Sequence, residues 1–128
     1  QAQGLVVVRR EFTFAVMNKY PYNSGHLLVC TNRHVPLYDE LTPEEVTQIG
    51  ELTAQAMRTL RAVSNAAGFN IGLNQGNVAG AGIADHLHQH IVPRWAGDLN
   101  FMPIVGGTKV LPELIEQTRQ LLSESWSD

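Results

Sequence analysis

The segment His86-Leu87-His88-Gln89-His90 places an imidazole at every second position. Side chains alternate across an extended strand, so His86, His88 and His90 would share one face while Leu87, Gln89 and Ile91 point away. Three kinds of chemistry use such a row. A zinc ion needs each ring nitrogen at ~2.0 Å, yet residues four apart on a strand lie ~13 Å from one another. A metal would therefore hold two of the three rings and draw its other ligands from His26, His34 or the acids. A purely structural role requires a hydrogen-bond partner for each buried ring, a cost that valines would avoid. Catalysis at phosphorus uses all three. A neutral imidazole is nucleophilic near pH 7, and its phosphorus adduct is open to attack by water. His88, flanked on both sides, is the ring placed to attack, while its neighbours fix its tautomer, bond phosphate oxygens and stabilise the leaving group. This third reading is the leading one.

The elements that must position these rings are legible from patterning. Leu5 to Val8 and Glu11 to Met17 read as an antiparallel hairpin, the second strand alternating Phe12, Phe14 and Val16 with Thr13 and Ala15 as a half-buried strand would. His26 to Thr31 is a third strand. Thr42-Pro43-Glu44-Glu45 spells a capping box with proline at the first helical position. A long helix follows, with Val46, Ile49, Leu52, Ala56, Leu60, Val63 and Ala67 on its core stripe and Gly68 as its left-handed stop. Phe69 to Asn74 and His86 to Val92 complete five strands, separated by the glycine-rich stretch Gln75 to Asp85. Pro112 opens a second helix. Strands before and after one central helix, without repeats or a linker, favour an α+β domain with an antiparallel sheet.

Composition sets the outer limits. With 128 residues, of which 44% are hydrophobic, the chain is one domain, 1–128, able to bury a core without a disulfide or structural metal. Its single cysteine, Cys30, lies in an apolar run and reads as a strand residue rather than a reactive thiol. A formal net charge of -3 without a basic cluster argues against capture of long nucleic acid. No stretch of membrane-spanning length and no signal sequence is visible, so no membrane partner and a cytoplasmic location are expected. Gln1 opens the chain, so a preceding N-terminal segment is expected to be missing.

Three motifs together resemble the histidine triad (HIT) family. The pattern His-φ-His-φ-His-φ-φ, with φ apolar, stands here as His86-Leu87-His88-Gln89-His90-Ile91-Val92, Gln89 being the one departure. Asn18, followed by Ser24-Gly25-His26-Leu27-Leu28-Val29, is similar to the family's polar residue, turn and Gly-His strand. Phe69-Asn70-Ile71-Gly72-Leu73-Asn74 matches the strand before its glycine loop. The likeness covers nearly the whole chain, and Pro93 to Pro103 further resembles the prokaryotic branch that includes diadenosine tetraphosphate phosphorylases.

The resemblance implies a HIT-like fold, a five-stranded antiparallel sheet with one long helix and a C-terminal helix. It implies an enzyme whose partner is a nucleotide substrate: a hydrolase or nucleotidyltransferase acting on dinucleoside polyphosphates or related adenosine 5′-phosphate derivatives. On it, His88 carries the covalent nucleotidyl group, His90 bonds a phosphate oxygen, and His86 and His26 orient the triad or its leaving group. Asn18 binds ribose hydroxyls, Asn74 contacts the phosphate region, and the amides of Gly80 and Gly82 line the phosphates. Apart from the resemblance, Trp95 and Trp126 read first as packing or interface residues, although either aromatic ring could stack on a purine. Ile83 stands where many relatives carry a serine, which removes a hydroxyl contact and weakens phosphorolysis, the closest alternative. A catalytically feeble nucleotide-binding module is the alternative from another class. No metal and no cofactor are expected, although some relatives hold zinc through upstream cysteines with equivalents of His34 and His86. Protomers in the family pair edge to edge, so a homodimer is implied.

Overall fold

The computed structural model describes residues 2–19, 25–76, 78, 86–97 and 112–128. Five strands, β1 (Val6–Arg9), β2 (Thr13–Met17), β3 (Leu27–Thr31), β4 (Gly68–Leu73) and β5 (His88–Arg94), form one sheet in the order β1-β2-β3-β5-β4. Every neighbouring pair is antiparallel. Helix α1 (Pro43–Ser64) connects β3 to β4 across β5, and α2 (Pro112–Glu124) follows β5. This is the α+β architecture expected from the sequence. Among the described residues no helix is long and apolar enough to cross a membrane.

Both helices cover one face of the sheet. Ile49, Leu52, Ala56 and Leu60 of α1 and Leu122 of α2 bury against Val7, Ala15, Met17, Leu27, Val29 and Ile91. Phe14, Val16 and Cys30 form a second cluster packed against Val6 and Leu28, on the alternate positions of β2 and β3. All of Thr13–Met17 is buried. The expected half-buried strand is therefore wrong for β2, because the two clusters cover both of its faces.

The capping box forms as read. Thr42 accepts from the Glu45 amide at 3.1 Å, and the Glu45 carboxylate accepts from the Thr42 amide at 2.9 Å. Arg33 clamps the same carboxylate with two bonds of 2.8 Å, which holds it well below the usual carboxylate range. The helix stops earlier than expected. Asn65, not Gly68, takes the left-handed conformation at φ 58° and returns its amide to Arg61, an exchange that a short polar side chain permits. Ala67, beyond this cap, is exposed and Val46 is 38% exposed, so the core stripe is shorter at both ends than its periodicity suggested.

The C-terminal tail lies along α1 of its own chain. Trp126 donates to Gln55 at 2.9 Å, the Ser127 amide donates to Thr59 at 2.9 Å, and Asp128 pairs with Arg10 at 2.6 Å.

Candidate active site

The histidines gather on the sheet face away from the helices. Gln89, Ile91 and Pro93 point toward α1, where the Gln89 amide donates to the Thr53 hydroxyl at 2.6 Å. That contact satisfies the single polar departure from the apolar pattern. His88, His90 and Val92 therefore occupy the opposite face. His90 stands opposite Leu28 and Gly72 in the ladder, and His88 opposite Cys30. The strand begins at His88 rather than at His86, so the three rings do not all ride one strand as expected. His86 sits just before it and is held by the Thr31 carbonyl, to which its Nε2 donates at 2.9 Å. Its ring still approaches that of His88, with centroids 5.4 Å apart.

Gly25 explains how His26 joins the group. Its φ of +85° turns the chain immediately ahead of β3, and a Cβ there would meet Leu60 Cδ2 at 3.0 Å. Glycine alone accepts both conditions. The turn sets His26 with Nε2 3.0 Å from His90 Nδ1 and Nδ1 3.0 Å from the Asn18 side-chain nitrogen. Four of the five histidines are thus linked in two pairs of neighbouring rings, and His34, exposed on its loop, stacks on His86 at 4.6 Å and 12°.

Burial shapes their charge. Desolvation, with the nearby His90 adding to it, pulls the His26 pKa down to about 4. Desolvation lowers His88 as well, followed by the repulsion a second cation would meet from His86 and His90, and desolvation lowers His90. These three rings are neutral near pH 7, the state that a nitrogen nucleophile requires. Burial pushes the Cys30 thiol up to about 12, so the cysteine is inert packing.

A cleft of about 600 Å³ opens on this face, lined by Asn18, His26, Asn70, Gly72, Asn74 and His90, with Ile71 and Val92. The volume suits a small ligand. His88 is the next ring along the same face from His90 and is not itself among the lining residues. Asn18 and Asn74, expected to bind substrate, both line the cleft. Gly80 and Gly82 lie outside the described residues, as does Ile83. Trp95 is placed elsewhere: its indole N–H donates to the Ser64 carbonyl at 2.9 Å, at the C-terminal end of α1. Asn70 and Gly72 were missed. A period of two counted back from Asn74 along β4 would have found both, since the antiparallel register puts them opposite Val92 and His90.

Among the described residues no three histidine, cysteine or acidic side chains stand close enough to hold a metal ion. His34 and His86 would offer two donors, half of what a structural zinc takes, and His86 Nε2 is already committed to a backbone carbonyl.

The profile of the HIT domain family matches residues 1–97. The chain belongs to the HIT family. It is 48% identical over 125 residues to AP-4-A phosphorylase of Mycobacterium tuberculosis, covering 98% of this chain and 64% of that protein. It is 34% identical over 95 residues to the asymmetrical bis(5′-nucleosyl)-tetraphosphatase of Schizosaccharomyces pombe, covering 74% of this chain and 52% of that protein. The chain therefore spans less than two thirds of the length of these relatives. The solved structure of a hypothetical histidine triad nucleotide-binding protein from Sulfolobus tokodaii superposes with a TM-score of 0.80 at 27% identity, over 94% of this chain and 82% of that one.

Proposed function

We propose that this HIT domain cleaves dinucleoside polyphosphates such as diadenosine tetraphosphate, or related adenosine 5′-phosphate derivatives, through a covalent nucleotidyl group on His88. The observation that carries this reading is the neutral His88 ring standing between His86 and His90 beside an asparagine-lined cleft. Likeness to proteins named for diadenosine and bis-nucleosyl tetraphosphate cleavage supports the substrate class.

The chemistry follows from the arrangement. A bare nitrogen of His88 attacks the α-phosphorus, an N–P bond forms, and the bond from phosphorus to the bridging oxygen breaks as the remaining polyphosphate leaves. Water then attacks the same phosphorus, loses a proton, and the imidazole departs with its electron pair. Asn18 binds the ribose hydroxyls, Asn74 the phosphate region, and His90 a non-bridging oxygen. His86 and His26 orient the rings that react. Positioning and charge stabilisation carry such a reaction without a cofactor. His88→Ala removes the nucleophile and is expected to lower kcat by roughly 10⁴-fold or more while nucleotide still binds. Unchanged turnover in that variant, measured by release of mononucleotide, would defeat the mechanism.

The 48% identity to a protein named as a phosphorylase favours a second reading, in which inorganic phosphate replaces water in the second step. Ile83 offers no hydroxyl for that anion. Nucleoside diphosphate formed only when phosphate is supplied would establish the phosphorylase. The edge strand β4, with Ile71 40% exposed, supports a homodimer paired along that edge, which analytical ultracentrifugation reads directly. A cytoplasmic enzyme of small nucleotides, without nucleic acid or membrane partners, completes the proposal and accords with the net charge of -3.

A further inference from the structure

The hydrogen-bond chain at the cleft end of the histidine row has a direction. The Asn18 side-chain nitrogen lies 3.0 Å from His26 Nδ1. An amide nitrogen only donates, so His26 Nδ1 carries a lone pair and the one proton of the neutral ring is on Nε2. That Nε2 stands 3.0 Å from His90 Nδ1, which must then accept. The remaining place for the proton of a neutral His90 is its own Nε2. We propose that Asn18 is a positioning residue that fixes the tautomer of His90 through His26, so that His90 offers the nucleotide an N–H rather than a lone pair.

The consequence deepens the nucleotidyl-transfer reading and rests on it. Phosphate oxygens only accept hydrogen bonds, so a His90 lone pair facing them would repel, whereas an N–H stabilises the charge that grows in the transition state. All three residues of the chain line the same cleft. Burial, with the neighbouring His90 adding to it, keeps His26 from protonating, and a second ring proton on Nδ1 would in addition point at an NH2 group. Among the described residues His90 is the titratable group in contact with the His26 ring, and Asn18 is uncharged, so nothing there compensates a cation. The other end of the Asn18 amide, Oδ1, is an acceptor. A ribose hydroxyl donating to it polarises the amide and strengthens its donation to His26. Nucleoside binding and phosphate chemistry are thereby coupled through one side chain.

The test uses the full chain labelled with ¹⁵N-histidine. Long-range ¹H–¹⁵N correlation spectra at neutral pH separate protonated from bare ring nitrogens, and His26→Gln and His90→Gln assign the signals by their loss. The proton is expected on Nε2 of both rings. A proton on Nδ1 of His90, or a rapid mixture of the two tautomers, would overturn the proposal. Asn18→Asp then replaces the donor by an acceptor of the same shape that still accepts the ribose hydroxyl. A neutral His26 must now turn Nδ1–H toward the carboxylate, and His90 switches to Nδ1–H. A protonated His26 would restore the original pattern, and the carboxylate makes protonation easier. In this variant kcat should therefore fall roughly 10²-fold as pH rises through the raised His26 pKa, with little change in KM. The native enzyme should show no such fall. A pH profile parallel to the native one, with neutral rings still protonated on Nε2, would refute the lock. Rapid-quench trapping of labelled nucleotide on His88 from diadenosine tetraphosphate separates the two ideas. An absent adduct defeats the proposed function whatever the tautomer, whereas an adduct formed with the wrong tautomer defeats only the lock.

Discussion

The two ends of the histidine row are held by different means. At the cleft end Asn18, His26 and His90 hold one another through side-chain bonds of 3.0 Å, in surroundings that keep both rings neutral. At the far end His86 is tied to a main-chain carbonyl of β3 and carries the exposed His34 ring on its face. Each anchor fixes a tautomer, since the Thr31 carbonyl only accepts from His86 Nε2 and the Asn18 amide nitrogen only donates to His26 Nδ1. At the cleft end the proton pattern is passed on to a second ring through the His26–His90 bond, and the part of the row that faces the cleft is the part built that way.

The comparison breaks most readily at the level of activity. His90→Ala removes a donor aimed at developing charge and should lower kcat roughly 10² to 10³-fold. His86→Ala removes an orienting neighbour from the end lacking that chain, and a loss of about tenfold is expected. Steady-state kinetics on the pair checks the order. Equal losses, or a larger loss at His86, would mean that the backbone-anchored end carries the charge stabilisation.

Stability sharpens it next. The His26 pKa falls from 6.5 unfolded to about 4 in the fold, chiefly through burial. A depressed value means that the unfolded chain binds the proton more readily. The stability that His26 contributes is complete above pH 6.5, declines as pH falls, and is lost by the time pH passes about 4. The difference is on the order of 3 kcal/mol. Urea unfolding at pH 7, 5.5 and 4.5 should show the decline, and His26→Gln should flatten it. A slope unaltered by that variant would place the acid sensitivity elsewhere.

Much of this was open to reading from sequence because local signals and tertiary packing agreed. Thr42-Pro43-Glu44-Glu45 formed the cap it spelled, since every partner in a capping box lies within one helical turn. The period of two survived from His88 onward because β5 is locked between β3 and β4 on both edges. What escaped depended on residues distant in sequence. Nothing near His86 announces that a carbonyl on β3 will hold it outside the strand, and nothing near Trp95 announces Ser64. Burial of both faces of β2 requires two clusters assembled from separate segments, which alternation within the strand cannot show. Asn70 and Gly72 were hidden only until β4 was paired with β5.

The smallest effect concerns Trp95, which lies between the two kinds of anchoring. Its indole donates to the Ser64 carbonyl, one of the last carbonyls of α1 and so without an intrahelical partner. Trp95→Phe keeps an aromatic ring, though a smaller one, and removes the donor. Loss of that bond should cost about 1 kcal/mol in denaturant unfolding, and KM should stay unchanged if capping the helix is the whole of its role. A rise in KM at constant stability would instead put the ring on the nucleotide. The cleft would then extend past Val92 toward the end of β5, and the region that reads the substrate would be longer than the side-chain chain from Asn18 to His90.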